Sequence, residues 1–321
     1  MAQVVVVGSY VQDHAWLVDR FPQPGETRRA HGFNTGPGGK GFNQAVACLR
    51  QGVATAFIGA IGDDHLGMIA QQFARAENLP CRWQIHKDHP TAASSIVVAA
   101  NGANQIAVNF AANEQLAPDF VRVQDDAFAA AKILLVQAEN NLDAIATALQ
   151  LGERHRLTRI FNPAPAVAGI DASLLRRADI ITPNETEFAL LLERIGETHV
   201  DAATLAARGD AELHALARRL GVETVVITLG AKGCFVSHGD TRRGDDADKY
   251  RLAPEIVNTI DTTGAGDAFS GALAAAMVLF HNAPLRRAVV HANRAAALST
   301  ETVGTAPAMP RFEAVTRRFP D

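Results

Sequence analysis

The stretch Val4-Val5-Val6-Val7-Gly8-Ser9 is a β-branched run with no polar alternation. Alternation marks a strand with one wet face; its absence marks a strand buried on both faces, as in the centre of a parallel sheet. The run breaks at Gly8-Ser9, and ligands of open α/β sheets gather beyond such strand ends. A dinucleotide-binding turn would need G-x-G-x-x-G here. The chain reads Gly8-Ser9-Tyr10-Val11-Gln12-Asp13, which argues against that site.

Further along, short apolar runs at 54–60, 133–137, 159–161, 180–182 and 225–229 alternate with helical patterns at 40–51, 65–77, 120–131, 142–151 and from 183 onward. This alternation predicts an α/β protein with a doubly wound, mainly parallel sheet flanked by helices, one domain over 1–321. Two segments break the pattern. Residues 11–37 carry Trp16, Phe21, Pro22, Pro24 and Gly25, and residues 91–110 place Asn101-Gly102, a favoured hairpin pair, between runs at 94–100 and 105–109. Paired together, they would form a small β-sheet lid. Residues 240–249 read as a charged, solvated loop, with Asp245, Asp246 and Asp248 a weak candidate for metal.

Composition bounds the partners. The 321 residues are 48% apolar, enough for a large core, and carry a net charge of −4 with scattered basic residues, which argues against nucleic acid. Cys48, Cys81 and Cys234 fit neither a disulfide framework nor a zinc spacing. No apolar segment approaches the ~18 residues of a membrane span. The expectation is a cytoplasmic protein without a membrane partner.

The chemistry concentrates in Asp261-Thr262-Thr263-Gly264-Ala265-Gly266-Asp267, ahead of the apolar run 272–280. A glycine turn at a helix N-terminus presents unpaired N–H groups and the positive end of the dipole to an anion. Asp267 would repel that anion, unless it takes a proton from a third group, such as a hydroxyl attacking a phosphate. Read alone, it is better explained as a helix N-cap or first-turn acid. Gly38-Gly39-Lys40-Gly41-Phe42-Asn43 is not a Walker A loop, because Gly41 stands where Ser or Thr is required. Its glycines still admit a ligand to a helix N-terminus beside Lys40 and Asn43. Glu139, Asn162-Pro163, the pair Asn184 and Glu187, and Thr228-Leu229-Gly230 with Gly233 all follow strand-like runs. Singly each has a structural explanation, as a loop acid, a turn, a cap or a hairpin. Their shared place at strand ends makes them candidates together.

These motifs together resemble the ribokinase (PfkB-type) carbohydrate kinase family over nearly the whole chain, with Pro183-Asn184-Glu185-Thr186-Glu187 similar to its magnesium-associated motif. The resemblance implies an ATP-dependent sugar kinase that phosphorylates a primary hydroxyl, with D-ribose as first acceptor and another pentose, a ketohexose or a nucleoside as alternatives. It implies Asp267 as general base and the Gly264, Ala265 and Gly266 amides as anion hole. It places the sugar on Asp13, Gly39, Lys40, Asn43, Glu139 and Asp261. ATP would lie on Asn184, Thr228, Gly230, Gly233 and Asn293, with Mg²⁺ near Asn184 and Glu187 through water. A monovalent cation, potassium, would sit by Asp261, Thr263, Ser299, Thr302 and Gly304, and a homodimer would form through the lid.

Four positions depart from the family pattern. Tyr10 and Val11 stand where ribokinases typically carry Asn. Phe42 is bulkier than usual and, in a nucleoside kinase, would face the base. Ala308 falls where a serine hydroxyl is usual.

Overall fold

The structure, a computed structural model, describes residues 1–100, 103–195 and 198–320. Val4–Val7 (β1) is wholly buried, with Val5 and Val7 in one apolar cluster and Val4 and Val6 in another. Successive strand side chains point to opposite faces, so a run with no polar member demands cover on both. The large sheet has nine strands. In spatial order they are Lys249–Leu252 (β13), Cys234–His238 (β12), Thr224–Thr228 (β11), Ile180–Ile181 (β10), Thr158–Phe161 (β9), Ile133–Val136 (β8), β1, Thr55–Gly62 (β4) and Cys81–His86 (β5). All pairs from β11 to β5 are parallel; only the β11–β12 and β12–β13 pairs are antiparallel. The winding reverses between β1 and β8, the switch point at which α/β sheets bind ligands.

Residues of the Leu142–Arg154, Glu185–Arg194 and Asp210–Arg219 helices join the Val5/Val7 cluster; those of Lys40–Arg50, Ala265–Leu279 and Leu285–Ser299 join the Val4/Val6 cluster. Ala265–Leu279 is buried almost all round, which explains its alanines. A Cβ on its Gly271 would lie 2.6 Å from the Ala47 Cβ, so the glycine sets how closely this helix meets Lys40–Arg50.

The second sheet has four strands, in the order Gly32–Gly38 (β3), Val11–Val18 (β2), Ala93–Ala99 (β6) and Asn104–Asn109 (β7). The two segments that break the α/β pattern thus pair as expected. The Asn101-Gly102 turn lies outside the described residues. By register, Asp13, Ala15 and Leu17 share one face with Ser94, Ile96 and Val98, while His14 and Trp16 point the other way with Phe33. Trp16 therefore cannot cover a ligand lying against Asp13.

The structure corrects several expectations. The 120–131 helix is two short ones, Pro118–Arg122 and Asp125–Ala129. The second turn is held from outside, Asp126 by Arg82 and Asp125 by His155, which local periodicity cannot register. β5 carries no sequence expectation because Cys81–His86 mixes polar and apolar residues at a sheet edge. Residues 240–249 are not simply solvated. Asp245 is buried and accepts from His238 Nε2 at 3.0 Å, Tyr250 Oη at 2.8 Å and the Arg286 N–H at 2.8 Å. Phe42 is fully buried among Tyr10, Phe57, Phe73 and Trp83, so it faces no base. Core packing alone occupies that ring.

Candidate active site

The first turns of two helices meet at Asp267. Gly264 caps the Ala265–Leu279 helix in the left-handed region at φ 78°, which a glycine adopts without strain. Asp267 is consequently buried in that helix's first turn, at 5% exposure. From Lys40–Arg50, Asn43 Nδ2 donates to Asp267 Oδ2 and Gln44 Nε2 to Oδ1, each at 2.9 Å. The Asn43 Oδ1 is buried without a hydrogen-bond partner. At the glycine turn, the Ala265 N–H donates to the Thr262 carbonyl at 3.2 Å, while a Cβ on Gly266 would meet nothing within 4 Å. Gly266 thus leaves room for an approaching anion, while the Ala265 N–H is engaged within the turn.

Beside this junction, the ends of β1 and β8 come together. Glu139 Oε2 accepts from Ser9 Oγ at 2.6 Å and from the Lys40 N–H at 2.8 Å. Burial pushes the Glu139 carboxyl above its ordinary range, against the pull of Lys40. Burial alone would lower Lys40, but Asp267, Glu139 and Glu187 outweigh it and hold its ammonium more firmly charged than usual. One lysine thus faces three carboxylates, an excess of negative charge that a cation could relieve. Gly39 stands at φ 86°, and a Cβ there would lie 2.6 Å from Val11 N. No other residue fits the approach of this loop to β2.

Asp13 closes the other side. Its Oδ1 accepts from Ser94 Oγ at 2.6 Å and its Oδ2 from Thr305 Oγ1 at 3.1 Å; burial raises its pKa, and Asp267 adds to that. Asp261 accepts from the Thr263 N–H at 2.9 Å and the Gly304 N–H at 3.0 Å. Asp13, Asp261, Thr263 and Gly304 line a cavity of about 840 Å³, together with Ala15, Leu17, Ile96 and Val98 of the small sheet. Val11 is buried at the foot of β2, on the same face as Asp13 by strand alternation.

The candidates farther along the sheet form a second group. Asn184, beyond β10, pairs with Thr228 at the end of β11 as an isolated parallel bridge. Gly233 at φ 83° packs against residues 252–254, and Asn293 Nδ2 donates to the Ala253 carbonyl at 2.9 Å. Gly230, at φ 50°, has open space where a Cβ would project. Asn184 and Glu187 form a reciprocal capping box, so the structural explanation of this pair holds. Burial also raises Glu187, whose carboxyl feels Lys40 and Asp267. The cap therefore faces the same junction, and the two groups join there.

Among the described residues no three His, Cys, Asp or Glu side chains assemble into a metal cage. A lone carboxylate suits a Mg²⁺ that keeps its waters and binds chiefly to phosphates. For a monovalent cation the side chains supply less. Ser299 Oγ donates to the Ala296 carbonyl of its own helix, and Ala308 contributes only a buried methyl, which leaves the Asp261 carboxylate and backbone carbonyls. Sequence reasoning missed Gln44, Ser94 and Thr305. Gln44 directly follows Asn43, but nothing in the spacing marks it, and the other two reach the site only through sheet pairing and a loop.

Comparisons with known proteins bear on the family and the fold. The model of the pfkB family carbohydrate kinases matches residues 1–311. Mouse ribokinase is 33% identical over 310 residues, covering 96% of this chain and 92% of its own. A Salmonella typhi deoxyribokinase is 29% identical over 320 residues, 97% of this chain and 96% of its own. Ribokinase from Giardia lamblia superposes with a TM-score of 0.87 at 28% identity, covering 99% of this chain and 98% of that one. Arabidopsis thaliana ribokinase, complexed with ribose and ATP, gives 0.79 at 27% identity over 99% and 98%.

Proposed function

The chain belongs to the pfkB family of carbohydrate kinases, and we propose that it transfers the γ-phosphoryl group of ATP to the primary hydroxyl of D-ribose. The observation that carries this reading is the junction at Asp267. A buried carboxylate, held by two amides, stands in the first turn of a helix whose glycine N-terminus is open to an anion.

In the proposed mechanism the sugar lies between Asp13, Asp261, Gly39, Lys40, Asn43 and Glu139. Its primary hydroxyl donates to Asp267, and the vacant Asn43 Oδ1 receives a second sugar hydroxyl. ATP lies along Asn184, Thr228, Gly230, Gly233 and Asn293. The transition state of phosphoryl transfer is loose, so Asp267 takes the proton late and most of the acceleration comes from alignment. The Gly264–Gly266 amides and Lys40 receive charge on the transferring group. Asn184 and Glu187 would hold Mg²⁺ through water, and the ion would neutralise phosphate charge. Asp261 with the carbonyls of 299–304 is the proposed seat of a potassium ion. The small sheet acts as a lid that excludes water. Its cavity face also leaves Ile106 and Val108 at 55% and 41% exposure, apolar surface suited to a second copy in a homodimer.

Val11 favours a second reading. Its side chain cannot bond a hydroxyl, and a buried hydroxyl left unpaired costs about 1–3 kcal/mol. An acceptor lacking the hydroxyl that would meet Val11 escapes this penalty, and similarity to a deoxyribokinase makes a 2-deoxypentose the candidate to try. A coupled ATP-turnover screen over D-ribose, 2-deoxy-D-ribose, fructose and adenosine, with and without K⁺, tests both readings. Preference for ribose supports the first, and preference for deoxyribose the second. Turnover with none of the four, or with adenosine alone, would sink both.

A further inference from the structure

Behind Asp267 lies a fully buried chain of amides. The Thr182 carbonyl accepts from Asn162 Nδ2 at 2.8 Å, and Asn162 Oδ1 accepts from Gln44 Nε2 at 3.0 Å. The same Gln44 Nε2 donates to Asp267 Oδ1 at 2.9 Å, and Gln44 Oε1 accepts from Gln137 Nε2 at 2.6 Å. Gln44 and Gln137 are 0% exposed, Asn162 6%. The direction of this chain is fixed at its far end. A backbone carbonyl can only accept, so Asn162 must turn its Nδ2 to Thr182 and its Oδ1 to Gln44. Gln44 must then present its nitrogen to both Asn162 and Asp267, and its oxygen to Gln137.

We infer that Gln44 is a positioning residue for phosphoryl transfer: it anchors Asp267 Oδ1 and so turns Oδ2 toward the acceptor hydroxyl. The inference rests on the reading of Asp267 as proton acceptor. Oδ2 is the oxygen bonded by Asn43, whose own Oδ1 is buried and unpartnered. The vacant acceptor and Oδ2 therefore sit together, which in the proposed mechanism is the acceptor's side, while Oδ1 faces the amide chain. A carboxylate held at one oxygen swings about its Cβ–Cγ bond; held at both, by consecutive residues of one helical turn, it cannot. Gln44 touches neither sugar nor nucleotide in this scheme and acts through Asp267 alone.

The test is a double-mutant cycle in the full chain, with D-ribose and 2-deoxy-D-ribose as probes. Gln44→Met keeps length and burial but removes the amide. Its kcat should fall about 10–100-fold with both KM values within about twofold, because a misplacement near 1 Å costs up to ~10² in rate. Gln44→Met combined with Asp267→Asn should lose no more than Asp267→Asn alone. Gln137→Met, which frees the far end of Gln44, should lower kcat in the same direction without raising KM. It carries the test if melting shows that Gln44→Met is unfolded. Unchanged kcat in these variants, or losses that multiply in the double mutant, overturns the inference while leaving Asp267 as the base. Wild-type turnover by Asp267→Asn overturns the base reading itself, and with it this inference.

Discussion

Thr305 Oγ1 lies 3.1 Å from Asp13 Oδ2 and 3.0 Å from the Pro37 carbonyl, so one hydroxyl of the C-terminal loop ties β2 to β3. Its neighbour Gly304 donates its N–H to Asp261 Oδ2. A single dipeptide thereby holds both aspartates that line the cavity, and it belongs to the segment proposed to seat the monovalent cation. Thr305→Val keeps the shape and removes the bond. The expected result is a sugar KM raised roughly fivefold, the worth of about 1 kcal/mol, with the KM for ATP unchanged in steady-state kinetics.

Gly39 is irreplaceable for two reasons that can be separated. Its φ of 86° strains any L side chain, and a Cβ would also lie 2.6 Å from Val11 N and 2.9 Å from the Tyr10 carbonyl carbon. Gly52, at φ 82° with nothing within 4 Å, carries only the first penalty. Gly52→Ala should cost about 1 kcal/mol in urea denaturation and keep full activity. Gly39→Ala should cost clearly more and abolish sugar phosphorylation. Equal losses in the two variants would refute the argument.

Glu139 makes a pH prediction. Its carboxyl pKa is raised by burial in the folded protein, so the native state holds its proton at pH values where the unfolded chain has released it. Stability from this group is therefore lost as pH climbs from the unfolded pKa through the raised one. Glu139→Gln keeps an acceptor for Ser9 Oγ and the Lys40 N–H but removes the charge. The Tm difference, variant minus wild type, should be small at acid pH and grow more positive toward pH 8. A difference that shrinks with pH would contradict it.

Asp245 predicts the opposite slope. Its carboxyl is buried against His238 and Tyr250 and caps Leu285–Ser299, a helix with no side-chain cap of its own. Although burial opposes it, these bonds hold the Asp245 pKa below the usual carboxylate value. Its contribution is thus present above the unfolded pKa and disappears as pH falls through the folded one. Asp245→Ala should cost about 3 kcal/mol at neutral pH by urea denaturation, with the gap to wild type closing in acid.

The architecture was readable locally because its signals are local. Val4–Val7 lacks alternation and is covered on both faces, and the Gly264–Gly266 turn announces a helix N-terminus within a few residues. Composition likewise marked the two segments of the small sheet, and the motif residues fall at strand ends as their spacing suggested. In each case the physics acts between neighbours in sequence, through side-chain period, glycine dihedrals and capping.

Only the tertiary structure decided which of those residues act on one another. Asn43 and Gln44 reach Asp267 across more than 220 positions, and Thr305 reaches Asp13 across 292. Asp245, read as a solvent-facing loop acid, is buried because β12, β13 and a helix start close around it. Phe42, a candidate to meet a base, is enclosed by four aromatic rings. A side chain's direction depends on which surfaces pack against it, and packing is a sum over contacts distant in sequence. Local pattern therefore identified the chemistry that Asp267 could do, and long-range packing chose the amides that hold it in place.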